Sequence, residues 1–201
     1  SMFLSGFLVK SALFGFYKLT HLLCGEVNTS LSVAILLFGV IDASLKMWGQ
    51  TDLKKLIAYG TVQEMNMIYL LFCWGSVNAF WGGILFCITH SFLSGLLFYT
   101  VDCVQRRFHT RSIPELSGIL QTHPNLGLVI FLNCVFYSGL PGTLKFVSEL
   151  YLYNGLLENS FILGCVLFFS CNYFGLIGFC KCWYNVLFGL TINNKQTISI
   201  D

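Results

Sequence analysis

The chain has 201 residues, of which 56% are hydrophobic and 10% are charged, and its formal net charge is +2. Soluble domains carry about 25% charged residues, so this composition excludes an ordinary soluble domain and indicates a polytopic membrane protein. The small net charge, without a basic patch interleaved with aromatic residues, argues against nucleic-acid binding.

Six stretches are apolar over about 20 residues, the length that a membrane-spanning helix needs. We predict an all-α protein with spans at about 2–22, 29–50, 56–75, 79–104, 126–153 and 159–190. These spans form a single transmembrane domain over residues 1–190, and the polar tail 191–201 is predicted to lie outside the bilayer. The first stretch lacks a basic region before it and a cleavage site after it, so we treat it as part of the mature protein.

Basic residues predict the orientation. They gather in the loop after the second span, in the long loop at 105–125 and in the tail, namely at Lys54, Lys55, Arg106, Arg107, Arg111 and Lys195. The positive-inside rule places these loops and both termini on the cytoplasmic or matrix side. Within the long loop, "SIPELSGIL" predicts a short amphipathic surface helix with Ser112 and Glu115 as a capping box.

Three ionisable residues lie in the first, third and fourth spans, where their burial is costly. Lys10 either reaches the interface by snorkelling or lies in a polar path. Glu64, beside Gln63, is either a protonated hydrogen-bonding group or part of a relay. His90 is either a packing residue or part of a hydrated face, which the neighbouring "THSFLS" hydroxyls favour.

The stretch "GLPGTLKFVSELYLY" combines a helix breaker with two opposite charges. Pro141 and Gly142 predict a break in the fifth span, after Leu140. Inside a bilayer such a break is tolerated only where protein or water satisfies the backbone, as at the midplane sites of transporters. Glu149 follows the break, and Lys145 shares its helix face. That pair is either a structural ion pair or a protonatable carboxylate beside hydrated backbone.

Titratable groups on four different predicted spans are what a lateral proton relay requires. The candidate relay residues are Lys10, Glu64, His90 and Glu149, with Pro141 and Gly142 as the helix break and Lys54 and Lys145 as secondary candidates. The nine cysteines are odd in number and lack a CxxC pair, so we interpret them as lipid-compatible side chains rather than metal ligands or disulfides.

Four segments in order, "TDLKKLIAYGTVQEM", "THSFLSGLLF", "RRFHTRSIPELSGIL" and "SGLPGTLKFVSELYL", resemble the antiporter-like subunits of respiratory complex I, NADH–ubiquinone oxidoreductase. Within this family, glutamate at 149 favours the chain 4 type over the chain 2 and chain 5 types, which have lysine there. The family's usual "SSVSHMG" reads "GTVQEMN" here, so Glu64 stands where a histidine is common.

The resemblance implies the second of two inverted repeats, together with the preceding helix, whose central lysine corresponds to Lys10. It implies either that a separate polypeptide supplies the first repeat or that the chain is a fragment. It also implies that some of the polar partners of Lys10 lie in that first repeat. Without that repeat, Lys10 and one face of the first span are expected to face lipid. Other implied partners are the membrane-arm subunits of complex I, sister antiporter-like chains and lipids.

The resemblance implies a proton-translocating, non-redox subunit in the mitochondrial inner membrane or a bacterial plasma membrane. NAD, FMN, iron–sulfur clusters and ubiquinone are then bound by other subunits, and none is bound by this chain. Lys10 is the central relay lysine, Glu149 the terminal group, and His90 and Glu64 lie between them. The alternatives are a subunit of a multisubunit cation/proton antiporter and a structural membrane subunit without transport.

Overall fold

A computed structural model describes residues 1–24, 29–74 and 77–189 of the chain. These residues are helical almost throughout, and β pairing among them is confined to one isolated antiparallel bridge. In chain order the helices are a π-helical turn (Leu4–Leu8), α1 (Val9–Cys24), α2 (Thr29–Trp48), α3 (Leu53–Trp74), α4 (Val77–Phe108), a 3-10 turn (Ile113–Glu115), α5 (Ile119–Thr122), α6 (Pro124–Tyr137), α7 (Leu144–Asn159), α8 (Phe161–Phe169), a π-helical segment (Ser170–Leu176) and α9 (Ile177–Phe188). The predicted tail at 191–201 lies outside the described residues.

The predicted spans are helical, but two of their ends differ from the prediction. α4 continues to Phe108, and Arg106, in its last turn, pairs with Asp102 at 2.8 Å, a spacing that supports the additional turn. α7 continues to Asn159, so the loop predicted at "GLLEN" is wrong. Leu156 in that stretch is fully buried, and its packing keeps the helix intact despite the polar residues that follow it.

The sixth predicted span contains a change of helix type that the sequence did not indicate. Between α8 and α9, residues 170–176 form a π-helix. A π-helical segment inside an α-helix bends the hydrogen-bond ladder locally and often occurs at functional sites. The segment lies against α2.

The predicted break in the fifth span is confirmed. Residues 138–143 separate α6 from α7. Gly139 and Gly142 have φ values of 68° and 99°, a left-handed backbone that side chains with a Cβ disfavour. Thr143 then begins the new helix, because its hydroxyl oxygen accepts a hydrogen bond from the Phe146 amide at 3.2 Å.

The apolar core consists of two clusters with a polar layer between them. α3 packs against α2 and α4, and α7 packs along α4. On α3, residues 53–57 contribute to one cluster and residues 65–72 to the other. Glu64 lies between the two groups, and His90 has the same intermediate place on α4. The fold therefore brings ionisable side chains to mid-height of the bundle.

The two predicted basic loops meet on one side of the molecule. Arg111 Nε lies 2.9 Å from Asp52 Oδ2, and the β bridge joins Asp52 to Ser112. The predicted surface helix and its capping box are wrong. The Ser112 side chain makes no cap, and the Thr110 hydroxyl instead donates to the Glu115 carboxylate. Bonding between the loops holds this segment extended, which leaves only short helical turns in it.

Within the described residues, three helical stretches are long and apolar enough to cross a membrane: Leu31–Trp48, Val77–Phe108 and Phe161–Phe188. The other predicted spans are helical too. α1 and the two halves of the broken span are shorter, and α3 includes a polar segment from Gln63 to Asn66. A polar segment in a spanning helix is accommodated when it faces the interior of the bundle.

Candidate functional site

Five ionisable side chains form a continuous row through the polar layer. Lys10 Nζ lies 2.6 Å from His90 Nδ1, and His90 Nε2 lies 3.6 Å from Glu64 Oε2. Glu64 Oε1 lies 2.8 Å from Lys145 Nζ, which lies 3.7 Å from Glu149 Oε1. The row thus contains all four predicted relay residues, and it adds Lys145 as a link that the sequence analysis had ranked as secondary.

Four helices supply the row, and each contributes at the level of the polar layer. Lys10 comes from α1, Glu64 from α3, His90 from α4, and Lys145 and Glu149 from successive turns of α7. The side chains of His90, Glu64 and Lys145 are no more than 8% exposed, whereas that of Glu149 is 23% exposed. Burial of opposite charges without such pairing would be costly.

His90 bridges two charged groups through its two ring nitrogens. A protonated lysine can only donate hydrogen bonds, so Lys10 assigns Nδ1 as the acceptor. In the neutral ring the hydrogen then resides on Nε2, which faces the Glu64 carboxylate. A proton received at one nitrogen can therefore be matched by a proton released at the other.

The hydroxyl groups beside His90 do not extend the row. Thr89, Ser91 and Ser94 each donate to a backbone carbonyl of the preceding turn of α4. This behaviour is usual for serine and threonine in a helix. The hydrogens of these hydroxyl groups are therefore used within α4, and the hydrated face stays a prediction, while His90 itself contacts Lys10 and Glu64.

Lys10 is half-buried and its ammonium group has partners within the chain, whereas the expectation was that it faces lipid. Its ammonium group donates to the Ser5 carbonyl in the π-helical turn and contacts His90. The Ser5 hydroxyl in turn lies 3.1 Å from the Thr61 hydroxyl on α3. The π-helical turn explains the difference, because it brings a carbonyl from the start of the chain toward the lysine.

The broken helix supplies the surroundings of Lys145. α6 ends at Tyr137, and the carbonyl of this residue accepts a hydrogen bond from Lys145 Nζ at 2.6 Å. The carbonyls of a last helical turn lack partners within the helix, so the break provides an acceptor for the lysine. The Tyr137 ring also faces the ammonium group, 3.8 Å from ring centroid to Nζ.

Gly139 brings Glu149 against the break. A Cβ at this buried glycine would lie 2.7 Å from Glu149 Oε2. The sequence analysis assigned the break to Pro141 and Gly142, which lie exposed on it. Gly139 was missed, although the pattern of two glycines around the proline was a signal for it.

Lys54 lies away from the row. It is exposed in the first turn of α3, where its backbone amide bonds to Asp52 Oδ1 at 2.9 Å. Its place beside the basic loops fits a role in topology rather than in the polar layer.

A small cavity opens beside the row, and the sequence analysis did not predict it. Its volume is about 40 Å³, enough for water molecules, and Glu64, Lys145 and Glu149 lie on its wall. The lining also includes polar side chains from three further positions in the fold, on α3, on α7 and in the π-helical segment, namely Gln63, Tyr153, Cys171 and Asn172.

A family model matches residues 1–175, and its description is NADH:quinone oxidoreductase/Mrp antiporter, TM. The chain belongs to this family. It is 46% identical over 188 residues to NADH-ubiquinone oxidoreductase chain 4 of Paramecium tetraurelia, covering 94% of this chain and 40% of the relative. It is 28% identical over 173 residues to chain 4 of Acanthamoeba castellanii, covering 85% and 35%. The chain thus spans well under half the length of these family members.

Solved structures share the fold. The Mrp complex from a Dietzia species contains a chain that superposes with a TM-score of 0.85 at 20% identity, covering 94% of this chain and 36% of that one. Respiratory complex I from Thermus thermophilus contains one with a TM-score of 0.78 at 21% identity, covering 90% and 39%. The fold is therefore that of membrane antiporter-like subunits.

Proposed function

We propose that this chain forms part of a proton-translocating membrane subunit of an NADH–ubiquinone oxidoreductase, of the chain 4 type. The observation that carries the proposal is the continuous row from Lys10 to Glu149 at mid-height of a membrane-protein fold. Ionisable groups buried in a membrane are costly and are usually retained for ion or proton movement. The family membership and the identity to chain 4 proteins support the same assignment.

In this proposal a proton moves along the row in steps between neighbouring groups. Lys10 gives a proton to His90 Nδ1, and the hydrogen on Nε2 passes toward Glu64. The two carboxylates, Glu64 and Glu149, compete for Lys145, at 2.8 and 3.7 Å from its Nζ. Protonation of Glu149 removes one of these attractions and strengthens the hold of Glu64 on the lysine. Charge at one end of the row thereby controls proton affinity at the other.

Glu149 is the terminal group of the row and the more exposed of its two carboxylates, so we assign it to proton release. Release is directed away from the side of the basic loops. The chain itself binds no redox cofactor in this proposal. NAD, FMN, iron–sulfur clusters and ubiquinone belong to other subunits, and quinone reduction elsewhere shifts the charges that drive the row.

The proposal includes neighbouring membrane subunits and a mitochondrial inner membrane location with the basic loops in the matrix. The similar solved chains come from multisubunit complexes. Phe3, Phe7 and Phe14, near the start of the chain, are more than half exposed. We assign them to contact with lipid or with a further antiporter-like repeat, whether on the same polypeptide or on another.

The test is Glu149→Gln in the assembled complex, with Glu158→Gln as the control. Glutamine keeps the shape of the side chain and removes its titration. We expect NADH-driven proton pumping in vesicles to fall strongly in Glu149→Gln while the complex still assembles. Glu158 is exposed near the end of the same helix, so its variant should pump normally. Normal pumping by an assembled Glu149→Gln complex would contradict the proposal.

A second candidate function is cation/proton exchange, because the matching family model also describes Mrp antiporters. Sodium-dependent proton movement that Glu149→Gln abolishes, without any NADH oxidation by the purified assembly, would favour it. NADH-dependent quinone reduction coupled to proton movement favours the first. A purely structural subunit is a weaker alternative, since it gives no reason for retaining a row of five ionisable groups, three of them buried.

A further inference from the structure

The cavity beside Glu149 continues the polar path beyond the end of the row. Tyr153 and Asn172 both line this cavity together with Glu149. Tyr153 follows Glu149 by four residues on α7, so the two side chains share one helix face. It lies one turn, about 5.4 Å, further from the break and closer to the α7–α8 junction. That junction is opposite the basic loops, because α8 returns from it through α9 to the basic side.

The ring of Tyr153 has a fixed place. It packs edge to face against Phe168, with ring centroids 4.9 Å apart at an interplanar angle of 73°. Such a packed ring holds its hydroxyl group in one region instead of sampling several rotamers. Tyr153 therefore lies on the cavity wall with its ring in a defined orientation.

Asn172 holds the Tyr153 hydroxyl through a hydrogen bond whose direction is determined. Asn172 Nδ2 lies 3.1 Å from the Phe168 carbonyl, which can only accept, so the atom facing it is the amide nitrogen. The same nitrogen lies 3.1 Å from Tyr153 Oη. Its two hydrogens thus go to these two acceptors, and the tyrosine oxygen accepts one of them.

This arrangement leaves Tyr153 able to relay a proton. With one lone pair occupied by Asn172, the hydroxyl retains one lone pair to accept and one O–H to donate. A hydroxyl in a proton chain needs both. The π-helical form of residues 170–176 contributes to the position of Asn172. At the change of helix type, the Asn172 amide donates a hydrogen bond to the Phe168 carbonyl.

We propose that Tyr153 is the next proton-transfer group after Glu149, with Asn172 as its positioning residue. The inference rests on the proposed function. The O–H bond of protonated Glu149 breaks as a cavity water accepts the proton. That water gives one of its own protons to the free lone pair of Tyr153, whose O–H proton passes to a water molecule on the outlet side. Glu149 becomes a carboxylate, whereas the cavity water and the tyrosine oxygen each gain one proton and lose one and so stay neutral.

The test compares Tyr153→Phe, Asn172→Leu and the double variant in the assembled complex, with Tyr151→Phe as the matched control. Tyr151 lies on the same helix, does not line the cavity and is 42% exposed. Pumping is measured per NADH oxidised, beside the electron-transfer rate with an uncoupler present. We expect Tyr153→Phe to lower the pumping rate about tenfold. This loss is smaller than is typical for a positioned proton-transfer group, because cavity water can carry part of the proton flow without the hydroxyl. Tyr151→Phe should pump normally.

The double variant separates positioning from structural support. Asn172→Leu alone should lower pumping about threefold, as expected for one lost hydrogen bond, and should cause no further loss in the Tyr153→Phe background. An equal loss in both backgrounds would overturn the positioning role. If Glu149→Gln is impaired but Tyr153→Phe pumps normally, the inference is overturned. If Glu149→Gln and Tyr153→Phe both pump normally, the proposed function itself is overturned. Should Tyr153→Phe not assemble, normal pumping by Asn172→Leu overturns the inference and the threefold loss supports it.

Discussion

Replacing Glu64 with glutamine is expected to destabilise the subunit, because it removes one partner of a buried ion pair. Glu64 Oε1 lies 2.8 Å from Lys145 Nζ, and the two side chains are 8% and 5% exposed. Breaking a pair of this kind costs about 3–5 kcal/mol, since an uncompensated charge stays buried. We expect the lower end of this range, about 3 kcal/mol, because Lys145 retains two other partners. These are Glu149 at 3.7 Å and the Tyr137 carbonyl at 2.6 Å.

The double variant Glu64→Gln/Lys145→Met is expected to regain most of that loss. Replacing both members of a buried ion pair by uncharged side chains of similar volume is often neutral or stabilising. Pumping should nevertheless stay low in the double variant, because the row then lacks two of its links. Stability and transport would thereby separate, which distinguishes a relay from an ion pair that only supports the fold.

The assay is thermal unfolding of the purified assembly in mild detergent, followed by pumping measurements in vesicles. Glu149→Gln is a useful comparison, because Glu149 is 23% exposed and lies farther from Lys145, so its loss should destabilise less. A Glu64→Gln assembly as stable as the wild type would refute the reasoning. So would a double variant whose loss of stability equals or exceeds the sum of the two single losses, since the coupling between the two sites would then be absent or have the wrong sign.

Three further variants test the row and the break. Lys10→Ala should impair pumping, and Lys10→Arg should not fully restore it, because arginine keeps its proton; full vesicle pumping with arginine would mean that Lys10 supplies only fixed charge. Gly139→Ala should lower stability by about 1–2 kcal/mol, because its backbone is left-handed. It should also lower pumping, because the added Cβ meets the Glu149 carboxylate. An unchanged thermal unfolding transition would contradict this. Thr143→Ala should cost about 1 kcal/mol in the same unfolding assay by removing the α7 cap, yet leave pumping intact.

The sequence indicated which ionisable residues lie within apolar stretches, because the cost of such a placement depends on surroundings that can be read along the chain. A charged residue within an apolar stretch must be paired or hydrated, whatever the tertiary structure. This reasoning identified Lys10, Glu64, His90 and Glu149. The break was predictable for an equally local reason, since proline and glycine interrupt a helix without reference to distant residues.

The contact of Lys145 with Glu64 was not predictable, because it depends on how helices pack. Lys145 is one turn from Glu149 in sequence, but its closest acidic partner is Glu64 on α3, 81 residues earlier. Nothing along the chain specifies that α3 and α7 approach at this level. The π-helical segment was equally hidden, since the apolar pattern of residues 159–190 continues through it. Asn172 within it would read as a lone polar residue in a span.

The break in the fifth span makes the row possible by exposing a main-chain acceptor where a positive charge is needed. A continuous helix would use the Tyr137 carbonyl within its own hydrogen-bond ladder. Ending α6 at that residue frees the carbonyl, and Lys145 on the next helix binds it. The neutral oxygen solvates the ammonium group without pairing with it, so both carboxylates remain available to compete for the lysine. Gly139 completes the arrangement, because only a residue without a Cβ allows Glu149 to lie against the break. The proline and glycines therefore do more than end a helix, since they place a backbone carbonyl and a carboxylate beside one buried lysine.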